Sequence, residues 1–428
     1  MVLAVAASLG TTMAGSTGGT PAAGAEAPRA ATSPAPLPEV VDVGEALGFP
    51  QTLRTWSADA GDLSGDGRRN DLVISYHGHV VAYRNAGGVL IDLLRPGDIG
   101  DPHGCLIGDL DRNGLGDVYC TRGAELGTIS KANGLWLQGP EGTFTENRAV
   151  ALGVDDPLGR GRHAALIDID RDGFQDLFVG NARNREDGRP SPNRTFLNEA
   201  GAGFREVRLG VTREVGLECV QAVDVDGDRW TDLLICGRRR LFLHRNVHVP
   251  GGGRRLRNMT RRVGLENRRD VRSAWIANLD GRGRSDLVLV RRRRVLVLLR
   301  RGGVFRQGTL RRELLEGVWV SVGDVDGRDG PDLYVVQGCR GGRNLPDRLL
   351  LNRGTGRFRR VPIPQAASGC GHLATMVDLD EDGRDEVVVL NGGGVWNLTP
   401  GPVQVLTMSP ALSPGGTRDP RRVSAPRV

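Results

Sequence analysis

Lysine is almost absent from this chain: of its 57 basic residues only Lys131 is not arginine. So extreme a ratio reads first as the mark of a GC-rich coding sequence. Aromatic residues make up 4%, with only four tyrosines. No segment approaches the ~18 consecutive apolar residues that cross a bilayer as a helix, so no membrane span is expected. No long stretch shows the 3.6-residue period of an amphipathic helix, and a helical protein is set aside. There is no CxxC pair, which speaks against a zinc site or a redox dithiol. A nucleophile elbow, a phosphate-binding loop and an HExxH helix are missing too. The net charge is +6, yet no aromatic residue is interleaved with the arginine runs, as base stacking would need. Nucleic acid is not an expected partner.

What the chain does have is a repeat. Seven aspartate-rich, glycine-punctuated segments start at Asp62, Asp109, Asp168, Asp224, Asn278, Asp324 and Asp378, spaced 47, 59, 56, 54, 46 and 54 residues apart. Each runs straight into a short apolar segment of β character. Such a period belongs to stacked or radial supersecondary units, so the length is spent on one domain rather than several. In the unit around Asp168, four short runs bounded by Gly, Asn or Pro follow one another: His163–Ile167, Leu177–Val179, Thr195–Leu197 and Phe204–Val207. Four antiparallel strands make a propeller blade. The hairpin of the last two strands recurs at 135–146, 295–307 and 349–361. The expected fold is all-β, a seven-bladed propeller of four-stranded antiparallel blades over residues 39–408. Residues 1–38 read as a secretory leader without its basic start, cleavable near Ala22–Ala25, or as a disordered tail. Residues 409–428 read as a loose tail. Ring closure falls to Val40–Val43 as an outer strand of the seventh blade, with Val403–Leu406 as the competing candidate.

Within a repeat, acids stand at positions 1, 3, 5 and 9, with Gly at 6. Alternate side chains of a tight turn converge, and a hard cation such as Ca²⁺ takes six to eight oxygens at about 2.3–2.6 Å. An EF-hand closes its loop at position 12 between helices, whereas here position 9 leads into a strand. The calcium ligands expected are Asp62, Ser64, Asp66 and Asp71 in the first loop, which carries one extra residue, and Asp109, Asp111, Asn113 and Asp117 in the second. The third contributes Asp168, Asp170, Asp172 and Asp176, and the fourth Asp224, Asp226, Asp228 and Asp232, with Arg229 in place of Gly. The seventh contributes Asp378, Asp380, Asp382 and Glu386. In the fifth and sixth loops the fifth position is Arg282 and Arg328. A guanidinium there would pair with the remaining acids and replace the ion, so those two loops are expected to bind no calcium.

The pattern resembles the FG-GAP/VCBS-repeat family, the calcium-loop β-propellers that include the integrin α-subunit head and many secreted bacterial proteins. The resemblance covers residues 39–408. It implies calcium in the hairpin between the first and second strands of a blade, and it carries little about a ligand.

Six cysteines fall into three sensible pairs. Cys105 and Cys120 flank the second loop, Cys219 and Cys236 flank the fourth, and Cys339 with Cys370 would tie the sixth blade to the seventh. Disulfides imply an oxidising compartment, hence a secreted or cell-surface protein. At the start of the first strands, Trp56, His103, His163, Glu218, Arg272, Trp319 and His372 would approach one mouth of the central channel. That mouth would suit a sugar or a transition metal, or the residues are ordinary polar strand ends. A five- against six-residue offset before the loops turns some of them to another face unless a bulge intervenes. Arg238–Arg240, Arg291–Arg294 and Arg311–Arg312 make blades four to six the basic side. The function expected is a calcium-binding module, monomeric, for a glycan, a cell-wall polyanion or a protein. A calcium-dependent polysaccharide lyase or a lectin is the alternative. No catalytic residue is assigned.

Overall fold

The computed structural model describes residues 39–408 except 87–89, 95–100, 125–128, 183–190, 212–216, 238–239, 284, 292, 315, 341–342, 365–369 and 393–399. The expected leader and C-terminal tail lie outside the described residues. Seven antiparallel four-stranded sheets form the blades of a propeller, as the repeat predicts. Their first strands are Thr55–Gly61, Asp101–Gly108, Gly161–Ile167, Leu217–Val223, Val271–Ala277, Gly317–Gly323 and Gly371–Val377. The second strands start at the loops' closing acids, from Asp71–Tyr76 to Glu386–Asn391, and are buried at nearly every residue. Their near-continuous Val, Leu and Ile suit strands covered on both faces by neighbouring blades.

Blade seven closes the ring. Its sheet runs from Val41–Asp42 through Val403–Thr407 and Glu386–Asn391 to Gly371–Val377. Both candidate closure segments therefore have a place, the N-terminal one outermost and Val403–Thr407 third. Asp42 fixes the seam, accepting the N–H of Val405 at 3.2 Å and Gln404 Nε2 at 2.7 Å. Blade two departs most from the pattern. Its third-strand place is shared by Ile129–Ser130 and Gly134–Trp136, and its fourth shrinks to a bridge between Gln138 and Phe144. Pro140 interrupts this hairpin with a short 3₁₀ turn, where its missing N–H cannot extend a ladder.

Every first strand carries a bulge at the same place, where the register shifts across Trp56, His103, Arg162, Glu218, Arg272, Val318 and His372. The three expected disulfides are present: Cys105–Cys120, Cys219–Cys236 and Cys339–Cys370, with Cα separations of 4.1, 4.9 and 5.3 Å. The first two pair directly opposed residues of their ladders.

One contact recurs around the ring. Loop position 2 is always a buried aliphatic residue: Leu63, Leu110, Ile169, Val225, Leu279, Val325 or Leu379. Its N–H is accepted by the blade's own closing acid, at 2.6 Å for Asp71, 2.7 Å for Asp117 and 2.8 Å for Asp176. The other oxygen of that acid accepts an N–H from the end of the third strand, such as Asn85, Gln138, Asn198, Asn246, Arg300 or Asn352. The side chain of that third-strand residue then reaches into the preceding blade and donates to its position-2 carbonyl. Asn85 meets Leu379 at 2.7 Å, Gln138 meets Leu63 at 2.7 Å, Asn198 meets Leu110 at 2.7 Å and Asn246 meets Ile169 at 2.8 Å. Asn352 meets Leu279 at 3.0 Å, and Arg300 meets Val225. The joint from blade six to blade seven is built differently: Asp385 accepts the N–H of Asp324 at 2.8 Å and donates its own N–H to the Asp324 carbonyl at 2.7 Å.

Removing one of these pegs strands a buried carbonyl, which costs roughly 1–3 kcal/mol. Asn198→Ala is therefore expected to lower unfolding stability by about that amount, read as a shift in denaturant midpoint at unchanged slope. Asn267→Ala, at an exposed turn outside the peg, serves as the comparison. Equal behaviour of the two variants would contradict the peg.

Candidate metal centres

The loops owe their shape to two backbone positions, not one. Position 6 has positive φ in all seven, including Arg229 at 66° and Asp329 at 58°. Position 4 does as well, with Arg112 at 61°, Arg171 at 63° and Glu381 at 61° among its non-glycine cases. Left-handed geometry is costly for residues with a Cβ, so the surrounding hydrogen bonds must hold it. They do: Asp109 Oδ2 accepts the N–H of Gly114 at 2.9 Å, Asp224 Oδ2 that of Arg229 at 2.7 Å, and Asp378 Oδ2 that of Gly383 at 2.9 Å.

Five loops bring the acids of positions 1, 3 and 9 together, with ligand oxygens within 4.8 Å of one another. They are Asp109, Asp111 and Asp117; Asp168, Asp170 and Asp176; Asp224, Asp226 and Asp232; Asp324, Asp326 and Asp332; and Asp378, Asp380 and Glu386. The fifth-position groups stand outside these sets and cap the turn. Asn113 Oδ1, Asp172 Oδ1 and Asp228 Oδ1 accept the N–H two residues on at 2.8, 2.8 and 2.9 Å. In the first loop the extra residue spreads the acids. Asp62 accepts the N–H groups of Gly65 and Gly67, both at 2.7 Å, while Asp66 takes that of Arg68 at 2.9 Å. Ser64 donates its hydroxyl to Asp62 at 3.3 Å. The first loop forms no three-acid group among the described residues.

Guanidinium groups enter three loops: the fifth, as expected, and the fourth and seventh, which were not expected to, Arg384 pairing with Asp382 in the seventh. In the fifth, Arg301 pairs with Asp280 at 2.6 Å, and Arg282 stands at 3.8 Å. The charge is delivered mainly by the third strand rather than by loop position 5. In the fourth, Arg245 of the third strand pairs with Asp226 and, at 2.8 Å, with Asp228. In the sixth, Arg328 gives Asp326 its backbone N–H at 3.1 Å but no side-chain ion pair among the described residues. The second and third loops keep their three acids free of arginine ion pairs among the described residues.

Burial pushes the closing acids up to about 7 at Asp117, Asp176, Asp232 and Asp332, and to about 8 at Glu386, with nearby loop carboxylates adding to the rise. A divalent cation among those oxygens would remove that penalty. In the second loop Asp109 Oδ1 is buried and lacks any hydrogen-bond partner. Such an orphaned acceptor in an all-oxygen cluster is the donor chemistry a hard cation takes.

Neighbouring loops also touch. Arg112 lies over the Phe174 ring at 5.0 Å, Arg171 over Trp230 at 4.5 Å, and Glu381 accepts from Arg68. In each case position 4 of one loop meets position 7 of the next.

The expected channel mouth is real in part. Trp56 and His103 meet edge to face at 4.6 Å, and His372 Nε2 lies 3.2 Å from the Trp56 carbonyl. His163 and Trp319 belong to blades three and six, yet their rings stack at 5.9 Å. The common bulge does not cancel the offset in spacing. Trp56, His103, Glu218, Arg272 and His372 occupy the bulge itself, while His163 and Trp319 follow it and face the channel. Neither a hydrogen bond nor an ion pair joins Arg272 to this group among the described residues. The three histidines form no metal-ligand group among the described residues either. Beyond them lies a cavity of about 760 Å³ lined by first strands and by Arg69, Asn70, Asp378 and Glu381 of the first and seventh loops.

No family model matches the chain. A curated mouse protein, cartilage acidic protein 1, is 27% identical over 197 residues, 44% of this chain. The match spans 28% of the length of that relative. Among solved structures, an Agrocybe aegerita lectin described as recognising non-reducing terminal N-acetylglucosamine aligns with a TM-score of 0.50 at 18% identity, covering 88% of this chain and 96% of the lectin. The extracellular domain of a putative hybrid two-component system from B. thetaiotaomicron aligns at 10% identity and a TM-score of 0.45, over 84% of this chain and 40% of its own. The lectin likeness agrees with the propeller fold. No helix among the described residues is long and apolar enough to cross a membrane.

Desolvation holds His163 down to about 3 and His372 to about 4, from an ordinary 6.5. Both are neutral in the folded protein near neutral pH, whereas the unfolded chain takes up their protons first as pH falls. Their contribution to stability is thus intact above 6.5 and lost progressively as pH falls from there towards about 4. The raised loop acids act in the opposite sense, so a difference experiment is needed. Wild type should lose more stability over this window than His163→Gln with His372→Gln, measured by denaturant titration at each pH. Parallel profiles would refute the assignment.

Proposed function

We propose that the chain is an exported, calcium-stabilised propeller of the FG-GAP/VCBS kind that serves as a binding module for a glycan or protein ligand. The observation that carries the calcium part is the orphaned Asp109 Oδ1 inside the Asp109, Asp111 and Asp117 group. When bound, calcium would supply the positive charge that lets the three carboxylates stay ionised side by side. Asp109, Asp111 and Asp117 would hold it in the second loop, and Asp168, Asp170 and Asp176 in the third. The sixth loop offers equivalent acids, whereas in the seventh Arg384 pairs with Asp382 and stands beside Asp380 and Glu386. In the fourth, Arg245 competes with the ion for Asp226, and in the fifth Arg301 has already taken Asp280. Three disulfides and no free cysteine among the described residues support export.

A binding module is favoured over a lyase that relies on a tyrosine base by the state of the four tyrosines. Tyr76, Tyr119 and Tyr334 are buried, and Tyr83 is half-buried with its hydroxyl 3.2 Å from that of Tyr76. The lectin likeness makes a glycan the first ligand class to try.

Binding confined to the folded state adds about 2.7 kcal/mol per site at a hundredfold excess over Kd. Chelation should lower the melting temperature, and calorimetry should find one ion fewer in Asp109→Asn, in Asp170→Ala and in Asp326→Ala. Asp280→Ala should leave the count unchanged. Loss of an ion from Asp280→Ala, or none from Asp109→Asn, overturns the assignment of loops.

The ligand is tested on a glycan array with and without calcium, beside a lyase assay on acidic polysaccharides. Calcium-dependent array signals without cleavage are expected. Unsaturated products from any polymer would move the reading to the lyase.

A further inference from the structure

We infer that the outer rim of blades four and five is a docking surface for a polyanionic polysaccharide, carried by six exposed arginines: Arg208, Arg255, Arg257, Arg261, Arg262 and Arg306. The inference rests on the binding-module reading and names its ligand class. Residues 254–265 hold five arginines and no acid. Arg255 and Arg257 alternate along the outermost strand, Arg254–Asn258, around the fully buried Leu256. They therefore share one face, about 7 Å apart at two residues' rise. The fold gathers the others beside them. The Leu256 N–H donates to the Leu209 carbonyl at 2.8 Å, which lays Arg208 along this strand. The Phe305 N–H donates to the Val263 carbonyl at 3.0 Å, which sets Arg306 of blade five beside Arg262.

None of the six makes an ion pair among the described residues. Their neighbours do: Arg245 is taken by Asp226, Arg301 by Asp280, and Arg291 lies 3.9 Å from Asp270. Charge of one sign also guards an exposed edge strand against a second copy, but Arg208, Arg261 and Arg262 lie outside the outer strands and are not explained by it. Blade three shows the contrast. Its outer strand pairs Glu206 with Arg194 at 2.6 Å and Arg205 with Glu199 at 2.7 Å. A row of unpaired guanidinium groups is a fork-shaped donor set suited to carboxylates and sulfates along an extended polymer. Single-stranded nucleic acid would want aromatic platforms, and the exposed large hydrophobic residues among those described are Val150 and Leu158, both elsewhere.

The test uses the whole protein in excess calcium, with dextran sulfate and polygalacturonate as probes and a DNA duplex as the competing polyanion. Wild type should bind at least one of the two polysaccharides, more weakly as salt rises. Arg255→Glu with Arg257→Glu, and separately Arg208→Glu with Arg306→Glu, should each weaken that binding about tenfold or more, as loss of paired guanidinium contacts implies. Lys131→Glu with Arg148→Glu makes the same change of net charge on blade two and should stay within about twofold, since screening confines the effect of a distant charge. Equal losses in all three variants would reduce the effect to bulk charge and overturn the inference. So would failure of both polysaccharides, and if the glycan array still reports a neutral ligand, the binding-module reading survives that failure. Duplex DNA bound as tightly, and weakened equally by the rim substitutions, overturns the polysaccharide assignment as well.

Discussion

The structure hangs on one peptide unit per blade, at loop position 2. Its side chain is buried, its N–H is accepted by the closing acid of the same loop, and its carbonyl is taken by the next blade. For Leu110 these roles fall to Asp117 at 2.7 Å and Asn198 at 2.7 Å. A propeller blade cannot bury both its faces alone, and apolar packing between blades has no directional preference of its own. The peg supplies direction. A blade shifted along its neighbour would leave a buried carbonyl and an amide unpaired, a penalty that hydrophobic contact does not offset. Six joints use this device. The seventh departs because Glu386, one methylene longer, reaches the Thr407 hydroxyl at 2.9 Å instead of a strand-end amide. Asp385 then clasps Asp324 from outside.

The closing acid thereby has two tasks in tension. As part of the peg it must stay buried and fixed, which raises its pKa. As a member of an acidic cluster it faces two further carboxylates. Asp117 shows both causes, burial first and then Asp111 and Asp109. The preorganisation that locks the blades is also what would keep an oxygen cluster assembled without its ion. Any metal held there would thus depend on the joint between blades, and the same geometry can be satisfied by a guanidinium, as Arg301 does at Asp280.

Much of this was legible in the sequence. The period, the four short runs per unit and the cysteine spacing led to the propeller and its three disulfides. The strands and the first two disulfides are fixed within a blade, and the third joins blades adjacent in sequence, so local sequence carries them. The pegs were not read, although their signal is visible as a strand ending in Asn: VAYRN to Asn85, TFLN to Asn198, LLLN to Asn352. The distance from closing acid to peg varies from 14 residues for Asn85 to 22 for Asn198, so it escapes a fixed-spacing motif. Position 4 was missed because Arg112, Arg171 and Glu381 hide a backbone requirement that only glycine announces. The placement of guanidinium groups misled for a different reason. Reading along the loop finds Arg282 and Arg328, but Arg245 and Arg301 arrive from the third strand, where tertiary geometry decides reach.

That last point explains how one residue type does opposite things on neighbouring strands of blade four. Arginine on the strand face beside a loop has a carboxylate within its span and becomes part of the loop, as Arg245 does with Asp226 and Asp228. Arginine on the outermost strand, paired across the ladder with Val247 or Arg245, makes no ion pair among the described residues. There Arg255 and Arg257 flank the buried Leu256, and the alternation of the strand forces them outward whatever the composition of the genome. Composition decides how many arginines the chain carries. The register of the outer strand, set by the His244–Asn258 to His248–Arg254 pairing, decides which of them are left with their charge unspent.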